Sequence, residues 1–158
     1  MSDQQANVPL WTHWARFTAF MTERFLGGPQ VLKFAWVINF QKTGTFFYIL
    51  LLMNYYQNFS VAACVYLALH GMYGFCWMLK HFAFPDRSWE KKVTIGGGLM
   101  AFVLVLGLYW VFPYLLISGI LGPDQKLASL TVLTAAISLH TLGVVIMMTA
   151  DCQKYFTL

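Results

Sequence analysis

The chain opens in a helical rhythm and then turns continuously apolar. Leu10, Trp11, Trp14, Phe17, Met21 and Phe25 recur at helical spacing, with Thr12, His13, Arg16 and Glu23 on the opposite side. That period predicts an amphipathic helix, lying in a membrane interface or packed on a partner. Pro9 suits its first turn, and Gly27-Gly28-Pro29 should end it. The polar stretch Met1 to Asn7 before it is expected to be flexible or partner-bound. Residues 30–42 carry Lys33 and Lys42 among apolar positions, as in a second surface helix or the approach to a membrane span. Apolar runs then follow at about 40–56, 60–79, 93–112 and 127–150. Each approaches the ~20 residues that a ~30 Å hydrocarbon layer demands. The first is the shortest, so Lys42 is expected to snorkel from its edge. The expected architecture is all-α: an N-terminal region (1–42) of polar tail and interfacial helices, then a four-helix transmembrane bundle (43–158).

The breaks between runs carry turn chemistry. Asn54, Gln57 and Asn58 mark the first, Pro85-Asp86-Arg87 the second and Gly122-Pro123-Asp124 the third. Gly96-Gly97-Gly98 would let another helix approach closely, or would unwind locally without a partner. Tyr109, Trp110, Pro113 and Tyr114 are expected in an interfacial belt, with 113–126 crossing the interface.

Composition sharpens this picture. Of 158 residues, 59% are hydrophobic, 18% aromatic and only 10% charged. Soluble domains carry about 25% charged residues, so a water-facing surface cannot be built from so few. The net charge of +4 comes without a basic groove or binding motif, which argues against nucleic acid as a partner. Lysine and arginine placement is lopsided. Arg16, Arg24, Lys33, Lys42, Lys80, Arg87, Lys91, Lys92 and Lys154 fall on one face of a four-span chain, and Lys126 on the other. The positive-inside rule then puts both termini on the cytoplasmic or matrix side. Cys64, Cys76 and Cys152 are too scattered for a disulfide framework, and the first two are expected to be buried.

Candidate chemistry is sparse. His70 and His140 fall near the middle of two spans that run in the same direction, and intramembrane ionisable groups are functional candidates by default. They could ligate a haem between them. The expected alternative is a pair of neutral histidines bonded to Ser138, Thr134, Thr141 or Tyr73. The hydroxyls of the last span, Thr149 among them, could line a polar cavity, but most are expected to bond back to their own helix. Asp151, Gln153 and Lys154 form a polar cluster at its end, where a lysine can pair with phosphate as a point charge.

Three stretches carry a family resemblance. They are Leu69-His70-Gly71-Met72-Tyr73-Gly74-Phe75-Cys76-Trp77-Met78-Leu79-Lys80 with Phe84-Pro85-Asp86, then Leu108 to Leu115, then Met147 to Tyr155. They resemble a eukaryotic group of steroid 5-alpha-reductase-like membrane proteins. The wider superfamily includes sterol reductases, which use NADPH, and isoprenylcysteine carboxyl methyltransferases, which use S-adenosylmethionine. The resemblance implies a helical bundle whose cofactor site lies mainly C-terminal. In the sterol reductases that site begins with Gln-Lys-x-x-Phe-Arg. Gln153 and Lys154 match it, whereas Thr157 and Leu158 replace the last two residues, and the chain stops before the Arg-His/Asn-Pro-Asn-Tyr-x-Gly-Glu motif. A vestigial cofactor contact at Asp151, Gln153 and Lys154 is therefore expected, with no cofactor held by this chain alone and no catalytic residues. The expected function is a non-enzymatic integral membrane subunit of a larger complex. It would contact lipid and other membrane-protein subunits through Trp11, Trp14, Phe17, Met21 and Phe25, in the endoplasmic reticulum or mitochondrial inner membrane. The alternative is the N-terminal part of an NADPH-dependent steroid or lipid oxidoreductase.

Overall fold

A computed structural model describes residues 9–120 and 128–157. The polar tail Met1–Asn7, the Gly122-Pro123-Asp124 turn, Lys126 and Leu158 lie outside the described residues. The described residues form six helices: α1 (Leu10–Glu23), α2 (Phe34–Tyr55), α3 (Val61–Ala83), α4 (Ile95–Leu106), α5 (Leu108–Ile117) and α6 (Leu130–Thr157). One short antiparallel ribbon joins β1 (Leu32–Lys33) to β2 (Lys92–Val93). The fold is therefore all-α in character.

Helix α2 is the centre, packed against α3, α4 and α5. Its buried residues include polar ones, Asn39, Gln41 and Thr45, and each finds a partner suited to a dry interior. Asn39 Oδ1 accepts from Trp77 Nε1 at 3.2 Å. Gln41 Nε2 donates to the Leu106 carbonyl at 3.3 Å, beside the 46° bend between α4 and α5. Thr45 Oγ1 donates back to the Gln41 carbonyl and accepts from Trp110 Nε1 at 2.9 Å. A side chain that satisfies a carbonyl at a helix break offsets the cost of leaving that group bare in an apolar setting.

Small residues set the closest approaches. A Cβ at Gly74 of α3 would run into the Lys42 carbonyl of α2. The glycine triplet does the same for α1: a Cβ at Gly97 would lie 2.6 Å from the Thr22 carbonyl oxygen. Thr94 caps α4 by accepting from the Gly97 N–H at 3.0 Å and donates its hydroxyl to the Phe25 carbonyl at 2.9 Å. The triplet's partner is thus the end of α1.

Two helices, α3 and α6, are long and apolar enough to cross a membrane, and α4 with α5 makes a third such element if the bent pair is one span. Helix α2 has the length, at 22 residues, but Asn39, Gln41 and Lys42 interrupt its apolar character. The chain is accordingly a membrane protein by its helices. Three ion pairs join distant segments: Lys91 with Glu23, Lys33 with Glu90 and Lys154 with Asp86.

Several expectations are corrected. Lys42 does not snorkel outward; its ammonium lies among aromatic rings inside the bundle. The stretch before the first long helix is a β-ribbon rather than a second surface helix, because Leu32 pairs with Val93, and that helix begins at Phe34. The run expected at about 93–112 does not stop there: Pro113 sits buried within α5, which runs on to Ile117. The last helix continues past Ala150 through the polar cluster to Thr157. Cys64 is exposed and Cys76 half-buried, because both lie on the outer side of α3 or at its edge rather than in the core.

Candidate functional site

Helices α3 and α6 meet along one polar stripe each. On α3 the stripe is His70, Tyr73, Trp77 and Lys80, at helical spacing. On α6 it is His140, Met147, Asp151 and Lys154. The two run in the same direction and match rung by rung. His70 and His140 have ring centres 5.6 Å apart, Tyr73 donates its hydroxyl to Met147 Sδ at 3.6 Å, and Lys80 Nζ lies 2.9 Å from Asp151 Oδ2. The last rung is Lys154 Nζ on Asp86 Oδ2, at 2.6 Å. No described residue of α6 is fully buried, so these rungs are its main polar attachment to the bundle.

The phase of α3 explains how His70 comes to the stripe. Residues Leu67–Gly71 form a π-helical turn, which inserts an extra residue and rotates the N-terminal part of the helix relative to the C-terminal part. Such turns recur at functional sites. His70 Nδ1 is hydrogen-bonded to the Tyr109 hydroxyl of α5, and its ring stacks on Tyr66 at 4.2 Å. Tyr109, rather than Ser138, Thr134, Thr141 or Tyr73, is thus the partner of His70. Thr149 does bond back to its own helix, at the Val145 carbonyl.

Two clefts open along this seam. The inner one, about 290 Å³, is lined by Lys42, His70, Tyr73, Tyr109, His140 and Gly143, among others. Lys42 Nζ stands 4.5 Å from the Tyr109 ring centre, 5.0 Å from Tyr73 and 5.7 Å from Trp77. Aromatic faces attract a cation, and more strongly where water is excluded. Four helices, α2, α3, α5 and α6, contribute to this one place.

The outer cleft, about 210 Å³, is lined by Lys80, Phe84, Asp86, Arg87, Asp151 and Lys154, among others. Lys80 is only 4% exposed, with Trp77 at 4.2 Å on one side and Asp151 on the other. Asp86 heads the turn predicted at Pro85-Asp86-Arg87, accepting from the Ser88 N–H at 2.9 Å and hydroxyl at 2.6 Å. Burial works to raise its carboxyl. Hydrogen bonds from Lys154 and Ser88 outweigh that effect and hold it well below the usual carboxylate range.

Of the residues expected to touch a cofactor, Asp151 and Lys154 line this outer cleft, while Gln153 is exposed outside it. Two of the cleft's three cations already face carboxylates. Its volume lies under the roughly 300–1,000 Å³ of clefts that enclose a drug-sized ligand. As arranged, these residues do not fit a dinucleotide. Among the described residues no group of three or more His, Cys, Asp or Glu is placed to hold a metal ion.

On α1 the residues expected at a membrane or partner surface divide. Trp11, Trp14 and Phe17 are 71%, 67% and 53% exposed, whereas Met21 and Phe25 are half-buried, near where α1 meets Thr94 and Gly97. Lys42, Tyr109 and Lys80 were not singled out from sequence as site residues. The i, i+3, i+7 spacing of His70, Tyr73 and Trp77 is the one linear signal that points toward them.

No protein-family model, curated protein or solved structure matches the chain.

Proposed function

We propose that this chain is a non-enzymatic integral membrane subunit of a larger membrane complex, on a bundle that resembles the steroid-reductase-like proteins. The observation that carries this reading is the use of the polar groups at the candidate cofactor end. Asp151 and Lys154 tie α6 to Lys80 and Asp86, which is a structural task, and α1 leaves Trp11, Trp14 and Phe17 exposed. An aromatic face exposed on a helix pinned at its other end suits insertion against another membrane subunit and the lipid around it. In this reading α2, α3, the α4–α5 pair and α6 each cross the bilayer. The basic end, with both termini, faces the cytoplasm or matrix, in the endoplasmic reticulum or mitochondrial inner membrane.

The test compares two kinds of variant on native gels of the membrane complex. Lys154→Ala should leave the assembly intact, whereas Trp14→Glu with Phe17→Glu should release the chain from it. The opposite ranking overturns the proposal.

A second reading is favoured by the inner cleft: part of an NADPH-dependent steroid or lipid reductase, since intramembrane His, Lys and Tyr groups mark functional sites. Saturable NADPH binding by the chain would establish it and displace the first.

A further inference from the structure

The inner cleft holds a cation with no counter-ion. Lys42 is an ammonium with three N–H donors, and among the described residues it has neither a carboxylate within ion-pair distance nor a hydrogen-bond acceptor. Its neighbours are the faces of Tyr73, Trp77 and Tyr109, which steady the charge but accept none of those hydrogens. The nearest acid along α6, Asp151, lies one turn beyond Met147 and is taken by Lys80. The other polar groups of the cleft, His70, His140, Tyr73 and Tyr109, can donate a hydrogen bond, and none carries a negative charge at neutral pH. A half-buried cation with no counter-ion, among groups that can also donate to an anion, suits an anionic acceptor.

The position of the cleft selects the kind of anion. It is lined by α3 and α6, both long and apolar enough to cross a membrane, and it is open rather than enclosed. Its α6 wall includes the apolar side chains of Val144 and Met147, and Leu139, Leu142, Val145 and Ile146 lie exposed on the other sides of that helix. A head that enters here brings an apolar tail alongside lipid. At about 290 Å³ the cleft takes a small anionic head with its first few carbons.

We propose that the cleft between α3 and α6 is a binding site for a long-chain carboxylate, its head on Lys42 with Tyr73, His70 and His140 around it and its tail along α6. This stands whether the chain is a subunit or part of a reductase.

The experiment uses the full chain in nanodiscs and radiolabelled oleate. Saturable binding is expected. Unlabelled oleate should displace the label, and neither methyl oleate nor acetate should do so at matched concentration, since one lacks the charge and the other the tail. Lys42→Met should weaken binding by at least about tenfold, the loss of a charge-assisted hydrogen bond, and Lys42→Arg by less. Gly143→Phe provides a variant that keeps Lys42. A Cβ at Gly143 meets nothing within 4 Å, so the ring can fill the cleft from α6 without moving the backbone, and it should block binding while the thermal unfolding midpoint holds. Oleate binding that survives both Lys42→Met and Gly143→Phe, or that methyl oleate or acetate displaces equally well, overturns the proposal.

Discussion

Lys80 and Lys154 both pair with aspartates across the same seam, yet their surroundings differ. Lys80 is buried against Trp77, and among the described residues Asp151 is its only charged partner. Removing one member of a buried pair strands the other, which costs on the order of 3 kcal/mol, whereas replacing both with apolar residues is often close to neutral. Asp151→Asn should therefore lower the unfolding midpoint in detergent clearly, and Lys80→Met with Asp151→Leu should recover most of that loss. Lys154 is about half exposed, so its pair with Asp86 contributes little to stability. The pH dependence of that contact comes from the depressed Asp86 carboxyl. A lowered folded-state pKa adds stability that is present above the unfolded value of about 3.9 and is lost as pH falls through the folded one. Hydrogen exchange in the 84–88 turn should stay slow from neutral pH down to about 4, and the turn should loosen in more acid solution. Loosening between pH 7 and 5 would contradict the assignment.

Among elements, glycine positions separate contacts that tolerate a side chain from contacts that do not. Gly74 meets the backbone of Lys42, and backbone cannot swing aside, so Gly74→Val should drive α2 and α3 apart and lower stability by more than the ordinary ~1 kcal/mol of a point change. Gly143→Ala points into open space and should be neutral or slightly stabilising through helix propensity. Equal losses from the two variants in a thermal melt would count against this packing. The glycine triplet is a case where sequence offered two outcomes, close approach or local unwinding. The structure decides for close approach because Thr94 supplies both the cap of α4 and a hydrogen bond to the exit of α1. Neither the period of α1 nor the composition of the triplet could identify that pairing, since Phe25 and Thr94 are 69 residues apart.

At the scale of the whole molecule, α6 is the element with the weakest hold. It keeps no residue fully buried, and polar rungs to α3 do much of what core packing does for α2. In a bilayer, lipid covers what the bundle leaves open, so such a helix is stable where it would not be in water. The same arrangement leaves a seam that can part, and the two clefts lie on it. That His70 and His140 lie on parallel stretches was legible from span counting, and the structure brings their rings to 5.6 Å. The role of Lys42 was not legible. From sequence it stood at the edge of an apolar run, where lysines ordinarily reach outward. Its direction is reversed by the start of α2 at Phe34, which places Lys42 well inside the helix and opposite Tyr73 and Tyr109.

Linear order alone determined that these are membrane helices, because apolar run length and scarcity of charge act locally and need no partner to be counted. It determined the turn at Asp86 and the parallel sense of α3 and α6 for the same reason. The direction of Lys42, the tyrosine bonded to His70 and the pairing of Asp151 with Lys80 rather than with a ligand were decided only by tertiary structure. Each depends on which face of one helix meets which face of another. That choice is set by small residues and buried hydrogen bonds far apart in the chain, and no window of sequence contains both sides of it.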